Sequence, residues 1–220
     1  MILEHFPEIF KVKCLTHTHV FKNATGKVRD FYIAPGHVSL AVIPDITRFG
    51  FAEKLRPCAS RALLLEIEDF VKKHTTPFVK VHVVNPVFQD VDITGSVVLK
   101  ADKDPAFYQE EMAKDILRFL TPWAFGAKDQ LAFGGKLYKS SVLNFIETLD
   151  YVDYVVKFTL NSPALGQSDG NVILTQTERS IIAAGKIIIE TNGSCPDPLS
   201  NQTDLKGLGH DMINTLKITG

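Results

Sequence analysis

The segment PCASRALLLEIEDFVKKH, residues 57–74, constrains the fold more than any other part of the sequence. Its apolar residues recur at helical spacing, and the basic residues 72–74 stand at its end, where they suit the negative pole of a helix dipole. The apolar stripe comprises Ala59, Ala62, Leu63, Ile67, Phe70 and Val71. The stretches on either side, VSLAVIPD and PFVKVHVVNP, have the composition of strands. The sequence therefore predicts a helix between two strands.

The remaining segments continue this mixture of strands and helices. A second helix is predicted over Pro105–Leu120, because proline is favoured at the first helical position. Its inward residues are predicted to be Phe107, Met112, Ile116, Phe119 and Leu120. A third helix is predicted to open at Ser140 or Ser141, either of which can cap it, and to run through Leu149. Further strands are predicted in KVKCLTH, VRDFYIA, DVDITGSVVLKAD, DYVVKFTL and, as one or two strands, VILTQTERSIIAAGKIIIET.

The order of these elements predicts an α+β fold. A weak internal echo, in which strand, loop and helix lead to Thr-Pro-aromatic, occurs in FVKKHTTPFV and again in LRFLTPWAF, and two related subdomains would explain it. We expect two small subdomains, over residues 1–84 and 85–190, each a mixed or antiparallel sheet covered by one or two helices. The polar segment 191–220 is predicted to be a flexible tail without a core.

The composition excludes several classes of function. The chain has 220 residues, with 24 basic against 25 acidic side chains and a formal net charge of −1, so no global field favours nucleic acid or an anionic membrane surface. The three cysteines lie far apart and indicate a reducing compartment. The start lacks the features of a signal peptide, and no apolar run reaches the roughly 20 residues that cross a bilayer. We expect a soluble chain that binds neither membrane nor nucleic acid.

The sequence offers only weak signals for a phosphate-binding loop, a zinc site or a catalytic site. Gly135-Lys136 is followed by leucine, which cannot supply the metal-binding hydroxyl of a phosphate-binding loop, and no helix is predicted to begin at the lysine. His17 and His19 would share a strand face near Cys14, but no further pair of ligands completes a zinc site. Neither paired carboxylates nor an activated nucleophile is evident. We therefore predict no enzymatic activity, no cofactor and no bound metal.

The stretch from Asn85 to Leu160 carries a combination of motifs. These are Asn-Pro at 85–86, Leu-x-Pro-Trp at 120–123, Phe-Gly-Gly-x-x-Tyr-x-Ser at 133–140 and Tyr-Val-Asp-Tyr-Val at 151–155. In this combination the sequence resembles the C-terminal part of the baseplate J-like family, the wedge proteins of contractile phage tails and of phage-tail-like contractile injection systems. The resemblance covers roughly residues 38–190. Family members are usually considerably longer than this chain.

The resemblance implies a structural wedge subunit that acts through protein–protein assembly. It implies other wedge subunits and hub or sheath-proximal proteins as partners, with assembly in the cytoplasm into a phage or phage-tail-like particle. The isolated chain is expected to be a monomer or weak dimer. Two alternatives stay open: a nucleotide- or small-molecule-binding enzyme domain using the Phe133–Ser140 loop, and an adaptor that binds peptides by strand addition.

The residues expected to serve structure or interface lie at element junctions. Proline at position 122 ends the preceding helix, and large rings at such a corner either close a core or anchor a partner. Gly134 and Gly135 are predicted to serve backbone geometry or a close approach, while Lys136 and Lys139 are predicted to be solvated. The structural or interface candidates are Pro122, Trp123, Phe125, Phe133, Gly134, Gly135, Tyr138, Tyr151 and Tyr154.

Overall fold

The computed structural model describes residues 1–22, 25, 28–48, 54–127 and 130–192, and it confirms the predicted α+β class. The helices are α1 Ile2–His5, α2 Arg61–Lys73, α3 Pro105–Leu120 and α4 Lys139–Glu147. The strands are β1 Ile9–Thr16, β2 His19–Lys22, β3 Val28–Phe31, β4 His37–Pro44, β5 Lys80–Val84, β6 Val87–Leu99, β7 Lys136–Tyr138, β8 Val152–Asn161, β9 Val172–Leu174 and β10 Ser180–Asn192. Within these ranges, no helix is both long and apolar enough to cross a membrane.

The first sheet is mixed and has the order β1-β4-β5. Strand β4 pairs antiparallel with β1 and parallel with β5, and α2 connects the two parallel strands. Ser60 caps α2 by accepting a hydrogen bond from the amide of Leu63. The helix buries Ile67 and Val71 against the sheet, as its apolar stripe predicts.

Two members of the predicted stripe lie nearer to solvent. Ala62 is exposed, because it stands in the first turn of α2 on the side facing away from the sheet. Phe70 is half-buried. Its ring stacks on the ring of His5 and makes an edge-to-face contact with the ring of Phe6. The buried centre of this helix is therefore Ile67, which is fully enclosed.

The second sheet has the order β10-β6-β8, with the long strand β6 in the centre. Strand β6 pairs parallel with β10 and antiparallel with β8, and α3 and α4 pack on this sheet. Helix α3 has the predicted bounds, since Asp104 caps it through the amide of Ala106 and Pro105 opens it. Its buried residues are Met112, Ile116 and Leu120.

Two expectations about these helices are wrong. Phe107 points to solvent, because the buried row of α3 recurs every four residues at 108, 112, 116 and 120. Helix α4 begins at Lys139 rather than at a serine, and Tyr138 precedes it without a side-chain cap. The reason is that β7 pairs with β9 as far as Tyr138, so the chain passes directly from strand to helix.

The predicted boundary between residues 84 and 85 falls in the short link between β5 and β6, which belong to different sheets. The division of the chain into two subdomains there stays a prediction. Thr191 and Asn192 complete β10 rather than beginning a tail, and the rest of the predicted tail, 193–220, lies outside the described residues.

Candidate functional site

Trp123 lies at the junction of the two sheets. Proline at position 122 ends α3 and opens a short 3₁₀ turn, Pro122–Phe125, which turns the indole inward. The indole is 4% exposed, and its Nε1–H donates a hydrogen bond of 3.1 Å to the carbonyl of Lys54. It belongs to a cluster formed by Ile43, Ile46, Trp123, Ala124, Leu131, Ile181 and Ala183, with Phe133 packed against it. Trp123 therefore closes a core that joins β4 to β10.

The neighbouring ring of Phe125 takes the opposite position. It is 41% exposed, and the Arg118 guanidinium lies over its face at 5.7 Å from the ring centroid. Of the two rings at this corner, Trp123 serves the core, while Phe125 lies at the surface with a cation on it.

Asn85, the first residue of the Asn-Pro motif, ties the same junction together. Its side-chain amide exchanges two hydrogen bonds with the backbone of Ala59, one accepted at 2.8 Å and one donated at 2.9 Å. Its own carbonyl accepts a hydrogen bond of 3.0 Å from Arg179. This asparagine links the segment before α2, the end of β5 and the start of β10.

The two glycines of the Phe-Gly-Gly motif differ in role. Gly134 has φ +64°, which favours glycine, and its amide donates a hydrogen bond of 2.8 Å to the carbonyl of Ser180. Gly135 has no such φ, and a Cβ there would meet only the Ile182 side chain at 3.8 Å. Gly134 is needed for its backbone conformation, as predicted. At Gly135, no neighbouring atom is close enough to exclude a side chain at the Cβ position.

Backbone amides around these glycines form hydrogen bonds within the fold and are not directed at a ligand site. The amide of Gly134 is bonded to β10, Lys136 lies within β7, and the amide of Lys139 donates to the carbonyl of Asn171. A phosphate-binding loop needs free amides and a helix that opens at its lysine, and α4 instead begins three residues after Lys136. The Phe133–Ser140 loop therefore lacks the geometry of that site.

The two lysines of this loop also differ. Lys136 is exposed, as predicted, but Lys139 forms an ion pair with Asp169 and its side chain is only 19% exposed. This pair holds the pKa of the Asp169 carboxyl below its usual range. The prediction that Lys139 is merely solvated is wrong, because the segment before β9 brings a carboxylate to it.

The three candidate tyrosines lie around the second sheet. Tyr138 is exposed at the start of α4, and Tyr154 is half-buried in β8 opposite Val98. Tyr151 is buried, and its hydroxyl donates a hydrogen bond of 2.9 Å to the Asp115 carboxylate. Burial, together with this carboxylate, raises the pKa of the Tyr151 phenol well above its usual value.

The hairpin of β2 and β3 carries an exposed apolar surface that the sequence analysis did not single out. Ile33 is 77% exposed and Phe31 is 53% exposed. We call this the hairpin surface; its members are Phe21 and Phe31, which the strand register places on one face, and Tyr32 and Ile33, which directly follow β3. Alternation within a short strand gives no sequence signal for it, because the same pattern is typical of a strand that buries one face.

A buried ion pair fixes the hairpin to the second sheet. The Arg179 guanidinium forms a bidentate ion pair with the Asp30 carboxylate, with Nε–O distances of 3.0 and 2.9 Å and an Nη2–O distance of 2.9 Å. The two side chains are 7% and 2% exposed. Bidentate pairs of this kind are directional, so the hairpin is held in a defined orientation.

The predicted grouping of His17, His19 and Cys14 does not form. His17 has φ 54° and lies in the turn between β1 and β2, so it does not share a strand face with His19, and Cys14 is exposed on β1. The structure instead brings His19 together with His37 and His82, whose ring nitrogens lie within 4.8 Å of one another. Their separation along the chain leaves no spacing motif that sequence reasoning could detect.

The motif residues of this chain join two sheets, and one hairpin presents apolar side chains. The chain belongs to the family of the baseplate protein PVC11-like, whose model matches residues 2–182. The resemblance to a baseplate family is thus confirmed, under the family name PVC11-like rather than baseplate J-like. The chain is therefore a member of a family of baseplate proteins.

A solved structure has a similar fold. The cryo-EM structure of the anti-feeding prophage (AFP) baseplate, 6-fold symmetrised, contains a chain that matches with a TM-score of 0.59 and 20% sequence identity. The match covers 84% of this protein and 35% of that chain, so this protein spans about a third of its length. No curated protein matches this sequence.

Proposed function

We propose that this chain is a wedge subunit of the baseplate of a contractile phage-tail-like injection system, and that it acts by binding other baseplate subunits. The observation that carries the proposal is the family match over residues 2–182, which includes the first sheet, strands β6 and β8 of the second sheet and Trp123. The similar chain in the AFP baseplate, a 6-fold symmetrised assembly, supports a place in a ring. Neighbouring wedge subunits and hub or sheath-proximal proteins are the proposed partners.

The hairpin surface is the proposed contact with these partners. Large apolar side chains grouped on one exposed element mark interaction sites in soluble proteins. Binding costs less free energy when the surface is already rigid, and the buried Arg179–Asp30 pair fixes the hairpin before any partner arrives. Ile33 and Phe31 are its most exposed apolar members and so lose the most water on contact.

The contacts of the motif residues within this chain support a non-enzymatic role. Trp123 fills a core, the Asn85 amide is bonded to Ala59, and the amide of Gly134 is bonded to β10. These groups hold the fold together, and the amides of Gly134 and Lys139 in the Phe133–Ser140 loop are bonded within the fold rather than directed at a phosphate. In this proposal the protein acts by binding other baseplate subunits and not by catalysis.

Particle formation tests the proposal directly. In a cell carrying the full gene cluster, removal of this gene is expected to abolish contractile particles in electron micrographs, and the wild-type gene is expected to restore them. Ile33→Asp places a charge on the hairpin surface and is expected to prevent restoration. Lys136→Ala removes an exposed lysine and serves as the matched control, which is expected to restore particles.

Folding and ligand binding are checked on the same purified variants. Far-UV circular dichroism and thermal unfolding of Ile33→Asp are expected to match the wild type, because the side chain is 77% exposed. Calorimetric titration with ATP is expected to show no saturable binding. Normal particles without this gene would refute the proposal, and saturable ATP binding lost in Gly135→Asp would favour the nucleotide-binding alternative.

A further inference from the structure

Three histidines from three different strands meet at one edge of the first sheet. His19 lies in β2, His37 in β4 and His82 in β5, and each is partly buried. One nitrogen from each ring lies within 4.8 Å of the others, and Nδ1 of His37 lies 3.0 Å from Nε2 of His82. The rings of His37 and His82 are nearly parallel, with an interplanar angle of 11°.

The register of the parallel strands places two of these rings on one face. His82 pairs with Ser39, and His37 lies two residues before Ser39 on β4. Side chains two residues apart on a strand point to the same face, so His37 and His82 are diagonal neighbours. Their relative position is therefore set by the β4–β5 ladder and not by flexible loops.

The third ring is positioned by the turn that leads into the hairpin. The left-handed backbone of His17 reverses the chain after β1, and its carbonyl accepts a hydrogen bond of 2.8 Å from the amide of Ala34. The buried hydroxyl of Ser39 donates a bond of 2.8 Å to the carbonyl of Thr18. These two bonds hold residue 19 above β4, and His19 reaches the other two rings.

Two of the three imidazoles, those of His37 and His82, have a lowered pKa. Loss of hydration, and then the neighbouring His19, lower the pKa of both His37 and His82 below the usual value. Lys80 acts on His37, and Lys72 on His82, in the same direction, while Glu68 opposes it at His82. Neutral imidazole is the form that binds a metal, because its unprotonated nitrogen carries the lone pair.

In contrast to the sequence-based prediction of no bound metal, we propose that His19, His37 and His82 form a binding site for Zn²⁺, with the fourth coordination position left to water or to a side chain of a partner. Zinc accepts imidazole nitrogen at about 2.0–2.1 Å in tetrahedral geometry, which places two ligand nitrogens about 3.3 Å apart. The three nitrogens lie within 4.8 Å of one another, so each separation exceeds the zinc-site value by at most about 1.5 Å, a shift within reach of side-chain rotation. Magnesium and calcium ions do not suit this site, since they prefer oxygen donors to imidazole nitrogens.

A metal at this position would link the hairpin to the first sheet. His19 belongs to the β2–β3 hairpin, whereas His37 and His82 belong to the sheet. The Arg179–Asp30 pair ties the same hairpin to the second sheet, so zinc would give it a second, independent attachment. The inference concerns the isolated chain and stands or falls separately from the proposed place in a baseplate.

Zinc titration of the full chain, produced without a histidine tag and stripped with a chelator, tests the site. Isothermal calorimetry in competition with a chromophoric chelator is expected to show one zinc per chain. His37→Gln and His82→Gln are each expected to weaken binding at least about tenfold, as loss of one of three ligands requires. His74→Gln removes a histidine from the end of α2, outside the trio, and is expected to bind zinc like the wild type.

Two further measurements separate a lost ligand from a lost fold. Zinc is expected to raise the melting temperature of the wild type and of His74→Gln but not that of His37→Gln, because only a ligand of the native state stabilises it. X-ray absorption on the zinc-loaded wild type needs no variant and is expected to count three imidazole ligands. Zinc that fails to saturate at one per chain, equal affinity in His37→Gln, or an absorption spectrum with fewer than three imidazoles would overturn the assignment.

Discussion

Replacing Trp123 with alanine should destabilise the protein by about 4 kcal/mol. Burying an aromatic side chain of this size removes about 150–250 Å² from water, and truncation of a buried Phe or Trp costs about 3–5 kcal/mol. The indole is 4% exposed, so nearly all of this applies. The lost hydrogen bond to the Lys54 carbonyl adds about 1 kcal/mol, and partial collapse of the cavity offsets a similar amount.

Two further variants divide this loss into its parts. Trp123→Phe keeps an aromatic ring but removes the donor to Lys54, and we expect a cost of about 1–2 kcal/mol. Phe125→Ala truncates the adjacent ring, which is 41% exposed, and we expect a cost below about 1 kcal/mol. The comparison isolates burial, because both rings belong to the same 3₁₀ turn.

Urea unfolding followed by far-UV circular dichroism provides the measurement. Fluorescence is unsuitable, because Trp123 is the only tryptophan and its replacement removes the probe. The midpoint should fall for Trp123→Ala with little change in slope. A loss below about 1 kcal/mol for Trp123→Ala, or an equal loss for Phe125→Ala, would refute the view that this indole joins the two sheets.

Four more variants test three separate parts of the fold by the same unfolding assay. Gly134→Ala should cost about 1–2 kcal/mol more than Gly135→Ala, because only Gly134 has a positive φ; equal costs would contradict this. Ile67→Ala should cost about 2–5 kcal/mol, since the side chain is fully buried against the first sheet. A loss near zero would contradict the packing of α2 on that sheet through Ile67. Tyr151→Phe should cost about 1–3 kcal/mol at neutral pH through the lost bond to Asp115. Because the phenol pKa is raised in the folded state, wild-type stability should fall as pH rises past about 10, and the deficit of Tyr151→Phe should shrink there; a constant deficit would contradict the raised pKa.

Local signals in the sequence were sufficient for most helices and strands. Helix α3 has the predicted ends because Asp104, Pro105 and the proline at 122 act through their own backbone and immediate neighbours. The predicted inward position of Phe107 is wrong because this residue lies one position off the four-residue row of buried side chains in α3. The serine cap of α4 failed for a non-local reason, since pairing of β7 with β9 fixes the chain up to Tyr138.

The contacts that define the candidate sites are long-range, and no local pattern encodes them. Arg179 meets Asp30 across 149 positions of the chain, and neither residue stands in a recognisable motif. His37 and His82 become neighbours only through the parallel register of β4 and β5. Trp123 could be assigned to a junction from its sequence context, but whether it faced a core or a partner depended on β10, which follows more than 50 residues later.

The parallel pairing of β6 with β10 has a consequence for synthesis on the ribosome. The first sheet is complete once residue 84 has emerged, whereas Val87 of β6 must wait for Ser180. At translation rates of roughly 5–20 residues per second, this delay is about 5–20 s. During that interval one edge of the central strand and its apolar residues lack their partner, and such exposed edges promote aggregation. Production at low temperature, or with chaperones that hold nascent chains, should therefore raise the soluble yield of this protein.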